Sequence, residues 1–253
     1  MLNIKKEIIN DIINTSSLSI AKKYEIDGIN YYIKKDNDLR EVIGSRLAKL
    51  MNLLAINYDR IIIKDFNYAI SKDINNEYEF YLAENFVNNN SNLFEIINSV
   101  IGTLGDKGLI IDIIKMYLYD ILFLNYDRDN RNWGFIKENN KYRLIIFDNQ
   151  GIFSIFAPPF INYNPELFKN NKGFFISFIY QDFEQFLDYC PDEYLGEIEK
   201  IINSVSYENI NLLFLNLEKE LDIKINPTFL MIYKDHYKRI NDIIKNRGVS
   251  NAR

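Results

Sequence analysis

At 253 residues the chain can bury one large core or two lobes without disulfide or metal staples. Its 47% hydrophobic and 15% aromatic content excludes a disordered polymer. A net charge of −5, with Lys and Arg scattered along the sequence, argues against direct nucleic-acid binding. A single cysteine, Cys190, excludes an internal disulfide and fits a reducing compartment, and a single histidine, His236, leaves almost no material for a zinc site or a Ser-His triad. His236 lies in a charged helical stretch and is expected at the solvent surface. The N-terminal MLNIKKEIIN lacks the apolar core of a signal peptide. The most apolar run, Leu109 to Leu124, is broken by Asp112, Lys115 and Asp120 at helical spacing, which reads as a buried amphipathic helix and not as a bilayer span. These features predict a soluble, cytoplasmic protein with no membrane partner.

In chain order, residues 5 to 13 fit either a strand or a short helix, and Asn14 to Ser19 form a small polar loop. Ile20 to Ile26 and Ile29 to Lys34 flank Asp27-Gly28, a strong two-residue hairpin signal. A helix is predicted from about Leu39 to Leu54, with Asp38 at its N-cap and Glu41 completing a capping box. Ile43, Leu47, Leu50 and Leu54 share one face, and Glu41 falls at its edge, where it can cap its own helix or reach a lysine on the sheet. Tyr58 to Lys64 and Tyr78 to Ala83 read as further strands. The polar run from Glu84 to Asn90 marks a change from strand-rich to helix-rich composition, giving expected domains of 1–87 and 88–253. Helices follow at Leu93 to Ile101, Leu109 to Leu124, and near 181–189, 192–205, 207–221 and 227–246.

Between these helices lies NYDRDNRNWGFIKENNKYRLIIFDNQG, Asn125 to Gly151. It opens on an Asp127-x4-Asn132 spacing, continues as two short apolar strands about an Asn139-Asn140 turn, and closes on Asp148. Folding about that turn sets Asn132 and Asp148 at the open ends of the hairpin, nearly opposite one another, where both side chains can ligate one hard cation. Asp127, on the preceding loop, can hold a hydroxyl beside that cation. Phosphoryl transfer asks for this set, because its catalysis is mostly the positioning of metal and nucleophile about the γ-phosphate.

The order of elements resembles the two-lobed protein-kinase-like α+β fold, with a small antiparallel-sheet lobe carrying one helix and a mainly helical second lobe. Within it, YYIKKDNDLREVIGSRLAKLMNL and NYDRDNRNWGF resemble the HipA-like serine/threonine kinases, related to the phosphatidylinositol 3- and 4-kinases. The resemblance implies ATP and Mg2+ as cofactors and a protein Ser/Thr hydroxyl as acceptor. It assigns Lys34 to the α/β-phosphates, Glu41 to an ion pair with Lys34, Asp127 to the substrate hydroxyl, and Asn132 and Asp148 to magnesium. It also assigns Ser16, Ser17 and Ser19 to the loop over the phosphates and the backbone of Leu82, Ala83 and Glu84 to the adenine. Lys35 is the alternative to Lys34, since strand alternation lets only one face the cleft. Some members of the family are toxins held by an antitoxin, which adds an antitoxin-like protein to the expected partners, and the loop serines are candidate autophosphorylation sites. The chain departs from the family pattern in a phosphate loop of serines without glycine, in Asp129 where a histidine is common, and in Asp148-Asn149-Gln150, which has no phenylalanine. A lipid or small-molecule kinase of the same fold, and a nucleotide-binding pseudokinase, are the competing readings.

Overall fold

The computed structural model describes residues 4–15, 21–87, 93–125, 127–153, 183–188 and 190–251. It is a mixed α/β chain whose sheets are antiparallel, and it divides into two compact units: residues 1–112 with 127–150, and residues 113–126 with 151–253.

The first unit begins with helix α1 (Lys6–Thr15), which resolves the strand-or-helix ambiguity in favour of helix. Strands β1 (Lys22–Ile26) and β2 (Ile29–Lys35) pair about Asp27 and Gly28, whose φ values of 52° and 78° are the two positive angles a type I′ turn demands. Helix α2 (Arg40–Leu50) follows, then β3 (Asp59–Ile63) and β4 (Phe66–Lys72), giving a sheet in the order β1-β2-β4-β3. Alternation gives this sheet two chemically different faces. Tyr24, Ile26, Tyr31, Ile33, Tyr68 and Ile70 form a buried cluster completed by Ile12 of α1 and flanked by Ile8, Ile9 and Ile13. The alternate residues, including Tyr32, Lys34 and Ser71, line a cavity on the other side.

A second sheet in the same unit has the order β5-β6-β7, from β5 (Glu79–Leu82), β6 (Trp133–Glu138) and β7 (Lys141–Ile146). The β6–β7 hairpin turns through Asn139 and Asn140, at φ 50° and 61°, as the sequence predicts. Gly134 is a packing requirement: a Cβ there would run into the backbone oxygen of Tyr81 and approach the Phe80 ring to 2.7 Å. The segment after α2 ties this sheet to the rest of the unit, because Ala55 forms a parallel bridge with Ile146, Ile146 N donates to Leu54 O at 3.0 Å and Ile56 N donates to Ile146 O at 3.0 Å. Asp148 thereby emerges two residues past a point anchored next to the chain leaving α2. Helix α3 (Leu93–Leu104) completes the unit, and α4 (Leu109–Leu122) runs from it into the second.

The second unit is helical, with residues 183–188, α5 (Asp192–Ser204), α6 (Tyr207–Leu221) and α7 (Pro227–Asn251). Its centre is aromatic: Phe123 stacks on Tyr233 with centroids 5.5 Å apart, and Phe153 stacks on Phe229 at 4.8 Å. His236 belongs to this interior and not to the surface. It is 1% exposed, and its Nε2 lies 2.8 Å from the carbonyl of Ile121. A carbonyl only accepts, so Nε2 carries the proton of a neutral ring. Burial depresses its pKa from 6.5 to about 4. Among the described residues no helix is long and apolar enough to cross a membrane.

Three further expectations are corrected. Strand β4 occupies a stretch in which the sequence suggested no strand, and the cap of α2 is not Asp38. Leu39 enters the helix in the left-handed region, φ 54°, with no capping bond of its own, which carries Asp38 outward to 58% side-chain exposure. The buried Asp36 lies beneath the helix start and accepts from the backbone N–H of Arg40 and of Glu41, both at 2.9 Å. Those are the donors a helix N-terminus leaves unpaired. Glu41 is thus released from capping duty. The helix also ends at Leu50, four residues before the predicted Leu54.

Candidate active site

The cavity beneath the β1–β4 sheet has a volume of about 510 Å³, within the range of small-molecule sites. Its apolar wall comes from Ile56, Ile74, Phe80, Leu82 and Phe147, with Phe80 and Phe147 in edge-to-face contact at 5.8 Å. Its polar wall includes Lys34, Asn132 and Asp148. All these residues belong to the first unit.

Lys34 sits at the centre of the polar wall. Its Nζ donates to Glu41 Oε1 at 2.8 Å and to Asp148 Oδ1 at 2.6 Å. Glu41 is fully buried, and its second oxygen accepts from the backbone N–H of Asn149 at 2.7 Å. One carboxylate on α2 therefore holds both the lysine on the sheet and the chain segment beyond the hairpin. Burial pushes the Glu41 carboxyl up to about 7, opposed by the Lys34 charge and reinforced by that of Asp148. Burial also penalises the Lys34 ammonium, but the charges of Glu41 and Asp148 outweigh it and raise the lysine's pKa. We take the pair as ionised, because two charge-assisted donors meet the two Glu41 oxygens. Lys35 points to the opposite face, its Nζ 4.2 Å from the centroid of the Phe66 ring, so alternation selects Lys34.

Asp148 has a left-handed backbone, φ 54°, at a position where L residues rarely sit. Contacts on both sides hold it there: its carboxylate is paired with Lys34, and the following residues are docked as well. Gln150 donates from its amide to Lys35 O at 3.0 Å and accepts on its own carbonyl from Arg40 Nη1 at 3.3 Å. Asn149 and Gln150 thus give polar anchorage at positions where the family resemblance leads one to look for a phenylalanine.

The loop before the hairpin is organised by short-range bonds. Asp129 accepts from the backbone N–H of Arg131 at 2.7 Å and pairs with its guanidinium at 2.6 Å, so this carboxylate is engaged locally. That pairing keeps the Asp129 pKa low. Asn132 donates its amide N–H to the carbonyl of Asp127 at 2.7 Å, which leaves its amide oxygen available. The Asp127 side chain is exposed and does not line the cavity. In the hairpin register Asn132 stands opposite Phe147, whose N–H donates to Asn132 O at 3.1 Å, so Asp148 lies one residue past the point of direct opposition.

The structure brings together Lys34, Glu41, Asn132 and Asp148 and sets Asp127 on the adjoining loop. Leu82 lines the cavity, whereas the Glu84 N–H donates to Asn130 O at 3.1 Å, and Ala83 is not among the lining residues. Ser16, Ser17 and Ser19 lie outside the described residues. Among the lining residues that escaped the sequence reading is a run just past β4. Asp73, Ile74 and Asn75 follow β4, and Asp73 accepts from Lys23 Nζ at 2.7 Å and from the Asn75 backbone N–H at 3.0 Å. Their signal was the unrecognised strand before them.

No protein-family model and no curated protein matches the sequence. Solved structures do. The Helicobacter pylori proinflammatory kinase CtkA superposes with a TM-score of 0.65 at 16% identity, covering 92% of this chain and 95% of that one. HipA of Shewanella oneidensis MR-1, from a toxin-antitoxin complex with HipB and operator DNA, gives 0.58 at 14% identity, covering 94% of this chain and 71% of that one. At such identities the likeness is one of fold, and the structural neighbours of this chain are HipA-like kinases.

Proposed function

We propose that the chain is an ATP- and magnesium-dependent kinase that transfers the γ-phosphoryl group to a Ser or Thr hydroxyl of a protein. The observation that carries this reading is Lys34 Nζ bridging Glu41 and Asp148 within a cavity of nucleotide size. An ammonium has three donors, so with two engaged a third remains for a phosphate oxygen. The donor set suits magnesium, which binds through oxygen, usually one or two protein groups plus substrate phosphates, and here Asp148 and the free amide oxygen of Asn132 would hold it. Magnesium supplies neutralisation of the charge on the β- and γ-phosphate oxygens.

The protein's own groups then do the positioning. The apolar wall of Ile56, Ile74, Phe80, Leu82 and Phe147 packs against the base. Glu41 keeps Lys34 charged and aimed at the α/β-phosphates. Asp127 takes the proton of the attacking hydroxyl while its oxygen bonds to the γ-phosphorus and the bridging bond to ADP breaks. The HipA neighbour, solved with HipB and DNA, supports an antitoxin-like protein as a further partner. Transfer of labelled γ-phosphate in a lysate tests the acceptor: label on Ser or Thr of protein is expected, and label confined to lipid or to small molecules contradicts it. The exposed Asp127 side chain, outside the cavity lining, favours one second reading, a module that binds nucleotide without transfer. That reading predicts an ATP-dependent thermal shift with no turnover on any acceptor.

A further inference from the structure

Arg128 has no role in the reading above, yet it bridges both open ends of the β6–β7 hairpin and the segment beyond it. Its Nη1 donates to the carbonyl of Asn132 at 2.8 Å and to that of Phe147 at 2.7 Å, and its Nη2 donates to Asn149 Oδ1 at 3.3 Å. Asn132 and Phe147 are the pair immediately beyond Trp133 and Ile146, where the β6–β7 ladder ends, and are joined by the Phe147 N–H to Asn132 O bond. Asn149 is fully buried, and its N–H is the donor to Glu41 Oε2.

We propose that Arg128 is a positioning residue that sets the distance between Asn132 and Asp148 and locks that distance to the Lys34–Glu41 pair through Asn149. The inference rests on the kinase reading and names what holds its metal-nucleotide site in register. A guanidinium can do this because it is planar and offers five fixed N–H donors, so one group reaches two converging carbonyls and a third acceptor beside them. Lysine at the same place is a point donor and cannot span the three. Arg128 touches no substrate in this account. It acts by keeping two oxygen donors, contributed by chain segments sixteen residues apart in number, at a separation that suits one small cation.

The test uses Mn2+ as an electron paramagnetic resonance probe, titrated into the full chain with a non-hydrolysable ATP analogue. Arg128→Lys should leave metal-free binding of the analogue within about 2-fold and weaken Mn2+ binding to the protein–nucleotide complex about 10- to 100-fold, the range for residues that orient metal ligands. A general packing role would move both affinities or the melting temperature alone. Equal Mn2+ affinity in wild type and Arg128→Lys overturns the proposal while leaving the kinase reading intact. Absence of any Mn2+-dependent nucleotide binding by wild type overturns the kinase reading and this one with it. A measurement on wild type guards against a variant that does not fold: the Phe147 amide should exchange with solvent as slowly as amides inside the β6–β7 ladder. Exchange as fast as at an exposed loop would show that no clamp closes the hairpin.

Discussion

Lys34 is the residue on which the electrostatics of the site turn, since one ammonium offsets a fully buried carboxylate on α2 and a half-exposed one beyond β7. Removing it leaves Glu41 buried with the Asn149 N–H as its remaining donor, the situation in which breaking a buried pair costs about 3 kcal/mol or more. Lys34→Ala should therefore lower stability by about that amount in urea unfolding, and adding Glu41→Gln should restore most of it. If the double variant is as unstable as the single, the pair does not carry the stability assigned to it. At this scale the sequence was legible wherever a residue's own chemistry names its partner. Asn132 and Asp148 were legible by type and spacing, Lys34 and Glu41 came from the family resemblance, and strand alternation left Lys34 and Lys35 open until the fold turned Lys35 onto the Phe66 ring. Asp36, Asp73 and Arg128 were not found, because each works largely through backbone donors or carbonyls whose positions only the fold sets.

At the scale of elements, α2 and the three-stranded sheet show two different ways in which one residue sustains a segment. Asp36 supplies acceptors for two backbone donors at the start of α2, so Asp36→Ala should cost about 1–2 kcal/mol, and restoring serine or asparagine there should recover part of it. Burial also holds the Asp36 carboxyl up at about 6, opposed by those two N–H groups. Its stabilising contribution is thus fully present below the unfolded value of 3.8 and falls as pH rises through about 6. Gly134 is required by space: Gly134→Ala should destabilise by about 3 kcal/mol, because the obstructing atom includes the Tyr81 backbone and cannot rotate away. A melting temperature within a degree or two of wild type would contradict that packing. The hairpins with Asp-Gly and Asn-Asn turns were readable from sequence. Strand β4 was missed although Phe66, Tyr68 and Ile70 alternate. Its turn uses Lys64 and Asp65 at φ 47° and 68°, residues that do not announce a left-handed turn as glycine or asparagine does.

For the whole molecule, the division into two compact units separates the cavity residues, all in the first, from the buried histidine in the second. His236 is the only histidine of the chain, so its ring resonances form a single titration curve. Its pKa in the folded state is depressed to about 4 from 6.5, so the unfolded chain binds the extra proton in between. Stability from this group is present above pH 6.5 and is lost as pH falls toward 4, a change of about 3 kcal/mol. A proton NMR midpoint near 6.5 would show that the ring is not buried as described. The sequence placed this ring in solvent because charged neighbours on one helix say nothing of what packs against its other face.

The account stands or falls on whether Asp148 serves nucleotide chemistry, and Asp148→Asn is the sharpest probe. Asparagine tolerates the left-handed backbone that Asp148 adopts, so its effect is not one of strain. Magnesium-dependent formation of ADP from ATP by the full chain, measured beside a lysate acceptor, should be robust in wild type and reduced at least about 100-fold in Asp148→Asn. Turnover in Asp148→Asn equal to that of wild type would contradict the account.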